Sequence, residues 1–185
     1  MATSPYTDTL QTTNLKNALP SSQQWLREQM ITFNNSSSPS ELLKPPPNKI
    51  ESRLVSKITV GRMYLFKYDP KTKEDLPYYD IFPLIFPFRR VDDGFFGINF
   101  HYLPYILRAR LMDSLYTLAN NNKNDDTTKL KLSYQLLNAS SRYKYFEPCV
   151  KHYLNSQVRS RFLWIPADQW KTALFLPFER FVKKK

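Results

Sequence analysis

Between Met63 and Tyr68 the apolar residues do not keep to one side: Met63 and Leu65 alternate with Tyr64, Phe66 and Tyr68. That pattern predicts a strand with core on both faces, hence a central one, ending at the Asp69-Pro70 turn. After a charged loop at Lys71 to Asp75, a second strand is predicted from Ile81 to Arg89. Pro83 and Pro87 each delete a ladder donor there, which predicts an edge position or a broken strand. Val91, Asp92, Asp93 and Gly94 read as a hairpin turn with Gly94 at positive φ. A third strand follows over Phe95 to Tyr102, in which Gly97 suits a bulge or a close backbone contact.

The period then changes. Pro104 suits the first turn of a helix whose stripe is Ile106, Leu107, Leu111, Leu115 and Leu118, ending near Ala119 before a polar loop. A second helix is predicted over Thr128 to Asn138, and a short one past Pro148 carrying Val150, Tyr153 and Leu154. Phe162 to Ile165 reads as a strand, Ala167 to Trp170 as a helical turn and Ala173 to Leu176 as another strand. Such a strand, turn and strand ending resembles the close of an SH3-like barrel. These elements predict an α+β domain over 50–185, either a small SH3-like β-barrel or a twisted antiparallel sheet, with a helical insertion at 104–156.

Residues 1–49 follow a different rule. The first 20 are polar without period and predict an extended arm, after which Ser22 can cap a short helix through Gln23 to Ile31, with Leu26, Met30 and Phe33 on one face. NNSSSPSELLKPPPNK, with Pro45, Pro46 and Pro47 together, is a stiff linker.

Composition narrows the class. With 42% hydrophobic and 15% aromatic residues in 185, the chain has enough apolar surface to collapse into one domain with an appended arm. The single cysteine, Cys149, excludes an internal disulfide and a multi-cysteine zinc cluster. MATSPYTDTL lacks the pattern of a secretory leader, and no apolar run of membrane-spanning length occurs, so a protein outside the ordinary secretory route with no membrane partner is expected. Charge is uneven: residues 129–185 hold 12 Lys or Arg against 3 acids, a net +9 of the total +11. The C-terminal third is therefore expected to meet an acidic partner, nucleic acid or protein.

Catalytic chemistry leaves little trace. The two histidines are His101, expected to be a hydrogen-bonded structural residue in a strand, and His152, expected in a basic helix. Asp69, Asp92 and Asp93 are explained by turn chemistry, and with Glu74, Asp75 and Asp80 they fall in loops or turns that do not predict a metal site. Cys149 and His152 have the spacing to share a helical face, but two ligands do not make a zinc site. No phosphate-binding glycine loop is present. No enzymatic activity, cofactor, metal or small-molecule substrate is expected.

Binding chemistry is more visible. Arg142, Tyr143, Lys144, Tyr145, Lys151, Arg159 and Arg161, interleaved with Phe146, Tyr153 and Phe162, mix cations with aromatic faces. To these candidate partner contacts are added Trp25 of the N-terminal helix and Phe178 and Phe181 of the apolar segment FLPFERF. Such a mixture suits phosphates and unpaired bases, and equally a subunit interface, where Tyr, Phe and Arg are enriched. Without a recognised nucleic-acid motif, the protein interface is the favoured reading and DNA the alternative.

Around YDPKTK, LPYYD and GINFHYLP, and in the closing ALFLPFERFVK, the chain resembles small virion proteins of T-even-like contractile-tailed phages, including marine ones, over 60–118 and 140–183. The resemblance implies a structural virion component assembled in the host cytoplasm, an adaptor among neighbouring tail or baseplate subunits. A DNA-binding protein at the neck or portal end is the alternative.

Overall fold

The computed structural model describes residues 53–167, 170 and 181–183. Eight strands and two α-helices are found among them, an α+β fold. The strands are β1 (Leu54–Val55), β2 (Met63–Leu65), β3 (Tyr78–Asp80), β4 (Leu84–Val91), β5 (Gly94–Asn99), β6 (Val150–Leu154), β7 (Phe162–Ile165) and β8 (Phe181–Lys183). The helices α1 (Tyr105–Ala119) and α2 (Asp126–Ser140) lie between β5 and β6. Six strands form an antiparallel sheet in the order β1-β7-β2-β4-β5-β6, and β3 pairs with β8 in a separate ribbon. The predicted arm, its helix and the proline linker, with Trp25, lie outside the described residues, as do Phe178 and the strand expected at Ala173 to Leu176.

The double-sided pattern of β2 has a direct consequence. Met63 and Leu65 enter one core with Phe86, Phe88, Ile98, Phe100, Met112, Leu115 and Leu137. Tyr64 and Phe66 enter a second with Ile85, Phe95, Tyr153 and Phe162 on the other side of the sheet. Each fully buried large side chain contributes roughly 1.5–3 kcal/mol, so β2, between β7 and β4, is the strand on which both cores depend.

Three expectations are corrected. First, of the edge position and the broken strand expected from Pro83 and Pro87, the edge is overturned and the break is found: β4 is an interior strand with an interrupted register. Its ladder with β2 ends at Ile85, before Pro87, so the missing N–H costs no bond on that side, and its register with β5 shifts between Pro87 and Arg89. The Pro87 carbonyl instead accepts from Gly61 N–H at 3.0 Å. Second, Gly94 does not take a positive φ; among described residues only Gly61 does, at +85°. Gly94 is required by space, because a Cβ there would stand 2.0 Å from the Tyr153 carbonyl oxygen. Third, Val150 to Leu154 is a strand paired with β5, and His152 with it, not a helix; a 3-10 turn at Glu147–Cys149 takes up the Pro148 region. Cys149 and His152 therefore share no helical face. The strand expected at Phe162 to Ile165 is found there as β7, with Ala167 and Trp170 in helical conformation after it.

The helices return the chain to the sheet. Asp125 caps α2 by accepting from Thr128 N–H at 2.7 Å, a bond that lowers its carboxyl below the ordinary value. Buried Arg108 of α1 donates to the carbonyls of Leu103 (2.7 Å) and His101 (2.8 Å), which ties the helix start to the 3-10 turn Phe100–Tyr102. Trp170 donates its indole N–H to the Ile165 carbonyl at 2.9 Å and packs edge-on against Phe86.

Two outcomes follow for stability. Gly94→Ala is expected to cost on the order of 2–4 kcal/mol in urea unfolding, because the clash is with backbone of the paired strand. Burial raises the Cys149 thiol from 9.0 to about 11 and raises the Tyr102 and Tyr153 hydroxyls as well. Below pH 9.0 the thiol is neutral in folded and unfolded chains alike; above it only the unfolded thiol ionises, so folding stability falls as pH rises towards about 11. Urea midpoints measured across that range should decline, and a flat profile would contradict the burial of these groups.

Candidate functional site

Two clefts flank the 3-10 turn between β6 and β7. The first, about 620 Å³, lies between the segment after β1, the β4–β5 hairpin and residues 155–162. Ile58, Phe95 and Phe162, all buried, provide its apolar lining. Lys57, Arg90, Arg159 and Arg161 also line it, and among the described residues no carboxylate does.

Backbone contacts place Arg90 and Arg159. The Arg90 guanidinium donates to the Ile58 carbonyl and so pins the segment after β1 to the hairpin. Arg159 donates its backbone N–H to Lys67 O at 2.8 Å, while its guanidinium donates to Ser156 O and Gln157 Oε1, each at 3.1 Å. Asp69 stands 3.7 Å from that guanidinium but also accepts from Lys73 at 3.1 Å, so one carboxylate is shared between two cations. Ser160 Oγ accepts from Lys67 N–H at 2.9 Å and donates to the Arg161 carbonyl at 2.8 Å, setting the direction in which residue 161 leaves the turn. Lys57 and Arg161 are exposed.

A shallower hollow of about 480 Å³ adjoins it and is lined by Arg89, Lys131 and the exposed Tyr134, with Arg90 common to both. Arg89 also lies 4.2 Å over the Phe96 ring, whose centroid is 4.7 Å from that of His152 in a near-parallel stack. His152 Nε2 is 3.1 Å from Asp93. The basic cleft thus gathers Lys57, Arg90, Arg159 and Arg161, a concentration of positive charge that attracts an acidic polymer, while Arg89 and Lys131 line the hollow on the helix side of the sheet.

The second cleft, about 320 Å³, is lined by aromatic residues: Tyr68, Tyr78, Tyr79, Tyr102 and Tyr153, with Lys71 and Lys151. Tyr78 and Tyr102 stack with centroids 5.9 Å apart and planes at 23°, and the Phe181 ring meets both edge-on. The Lys151 ammonium sits 4.2 Å over the Tyr102 ring, and its partial burial lowers its pKa. Beneath lies a buried polar network. Asp80 accepts from Phe82 N–H at 3.0 Å and Asn99 Nδ2 at 3.2 Å, and its carboxylate is 2.5 Å from His101 Nδ1. Asn99 Nδ2 also donates to the Tyr153 hydroxyl at 3.1 Å. His101 sits in the 3-10 turn after β5 and not in a strand, and its Nε2 is buried without a hydrogen-bond partner. Asp80 is thus taken up by structure. Among the described residues no group of three or more His, Cys, Asp or Glu could hold a metal ion, and no helix is long and apolar enough to cross a membrane.

The candidates read from sequence separate. Arg159 and Arg161 meet in the basic cleft, whereas Lys151 and Phe181 belong to the tyrosine cleft or its rim. Arg142, Tyr143, Lys144 and Tyr145 form an exposed turn after α2 and line neither cleft, with Tyr143 65% and Tyr145 78% exposed. Lys57, Arg89, Arg90 and Lys131 are not singled out by sequence reasoning. The adjacent Arg89-Arg90 pair closing an otherwise apolar strand is the available signal for two of them.

The described residues thus present a basic cleft beside an aromatic one, both surfaces suited to binding. The chain belongs to the family described as phage T4 terminal DNA protecting protein, whose model matches residues 14–185. It is thus a phage structural protein, located in the virion. No curated protein and no solved structure matches it.

The network beneath the second cleft gives a test of its role. Asp80→Ala leaves three donors or potential donors buried without their acceptor and is expected to cost about 3 kcal/mol of stability, read from the urea midpoint. A loss within experimental error would show that the network does not hold the cleft.

Proposed function

We propose that this protein binds the ends of the phage DNA within the particle, holding the phosphate backbone in the cleft lined by Lys57, Arg90, Arg159 and Arg161. The observation that carries the reading is a preformed cleft with four cations and, among the described residues, no carboxylate, in a chain of a family described by its protection of terminal DNA. Backbone contacts of this kind need no sequence-specific motif, because phosphate is the same at every step. The protein acts by occupying the end and not by chemistry.

This reading takes the place of the tail or baseplate adaptor as the leading one; neither the family description nor the site geometry supports a position in the baseplate. The exposed Arg142 to Tyr145 turn supports a second, compatible contact, with a neighbouring virion protein, since large exposed tyrosines beside arginine are characteristic of interfaces.

Binding of the full-length protein to a blunt-ended duplex should weaken about 100-fold between about 50 and about 200 mM salt if four phosphates are neutralised. Lys57→Glu with Arg161→Glu, both at exposed positions, should weaken it at least about 10-fold; Arg142→Glu with Lys144→Glu should leave it unchanged. Closed circular DNA should compete poorly with linear DNA. Salt-independent binding, or an equal loss from both double variants, would contradict the assignment of the cleft.

A further inference from the structure

The tyrosine cleft is not used by the backbone contacts just described. It is joined to the basic cleft by consecutive residues, Leu154 lining one and Asn155 the other. Asp69, beside Tyr68 and Pro70 of the tyrosine cleft, pairs across the ridge with Arg159 of the basic one. A strand held by its phosphates on one side of the turn therefore has a short path to the other.

The chemistry of this second cleft differs from that of the first. Tyr78 offers one ring face to Tyr102 and is edge-on to Phe181, yet stays 47% exposed. An aromatic ring so fixed, with an accessible surface, is a stacking platform for a flat heterocycle. Lys71 and Lys151 supply positive charge for the phosphate that accompanies a nucleotide. At about 320 Å³ the cleft is at the small end for ligand sites, which suits one base and not a stacked duplex. The carboxylate at its base, Asp80, is engaged by Asn99 and by His101.

We propose that the tyrosine cleft receives an unpaired base at the terminus of a DNA strand, stacked on Tyr78, while the adjoining phosphates lie in the basic cleft. The inference rests on the reading of this protein as one that binds DNA ends. It adds that the protein distinguishes a terminus with a single-stranded extension from a blunt one.

The test compares blunt duplexes with otherwise identical duplexes bearing a short single-stranded extension that ends in the fluorescent base 2-aminopurine, using the full-length protein. The extended duplex should bind about fivefold or more tightly, with the fluorophore quenched by stacking. Tyr78→Ala should abolish both the preference and the quenching while blunt-end affinity stays the same; Tyr78→Phe, which keeps the ring, should preserve both. Equal affinity for the two ends, with Tyr78→Ala silent and the Lys57→Glu, Arg161→Glu variant still defective, would overturn the base site and leave end binding standing. No binding of the wild-type protein to any DNA would remove the DNA reading itself, and this inference with it. Loss of incorporation into particles on Tyr78→Ala, with DNA binding and its end preference unaltered, would reassign the cleft to a protein neighbour and equally overturn the proposal.

Discussion

The edge-to-face packing of Phe66 against four other rings is the contact on which this molecule depends. Its centroid lies 5.0 Å from Phe162, 5.4 Å from Tyr153, 6.0 Å from Phe95 and 6.2 Å from Tyr68. Those rings come from four separated parts of the chain, on β5, β6 and β7 and just after β2, so one buried side chain sets their relative positions. Aromatic pairs of this geometry are each worth about 0.5–1.5 kcal/mol beyond burial. Both clefts are built on this cluster: Phe95 and Phe162 line the basic one, and Tyr68 and Tyr153 line the aromatic one.

The same cluster solves a topological problem. Two helices intervene between β5 and β6, yet β6 comes back to pair with β5 from Gly94 opposite Leu154 to Ile98 opposite Val150. The Phe95 and Tyr153 rings stack at 5.5 Å across that junction, and Gly94 allows the Tyr153 carbonyl to approach. Once β6 is seated, the short turn at Asn155–Gln157 carries the chain from that edge of the sheet towards β7, past the Val158 bridge to Tyr68, and Arg159 donates its N–H to the Lys67 carbonyl on the way. Arg90 is thus held within a paired strand and Arg159 by hydrogen bonds in a short connection, which favours binding because less conformational entropy is lost on contact.

What the residue pattern makes legible is local. The two-faced strand at Met63 to Leu65, the helix beginning past Pro104 and the polar break before α2 follow from periodicity and capping, and α2 differs from its expected bounds by two residues at each end. Val150 to Leu154 reads as a helix in sequence because a short segment with apolar residues at Val150, Tyr153 and Leu154 fits helical spacing; only pairing with the distant Gly94–Asn99 decides for a strand. The site is legible in its ingredients and not in its grouping. Arg159 and Arg161 are identifiable as cations near aromatics, but Lys57 and Arg90 join them only when β1 pairs with β7 and the hairpin folds over. Closeness in sequence makes Arg142 to Tyr145 look like part of the same surface, and the fold separates them.

On the proposed reading, charge and aromatic surface play complementary parts in holding a DNA end: the cations grip a uniform polyanion while the ring faces sense the form of its terminus. The most direct measurement of the first is a photo-crosslinking map of the full-length protein on a duplex whose terminal nucleotides carry the crosslinker. The account predicts adducts in the segments around Lys57, Arg90 and Arg159 to Arg161. Adducts confined to the exposed turn at Arg142 to Tyr145 or to the outer surface of α1, with none in the cleft, would contradict it.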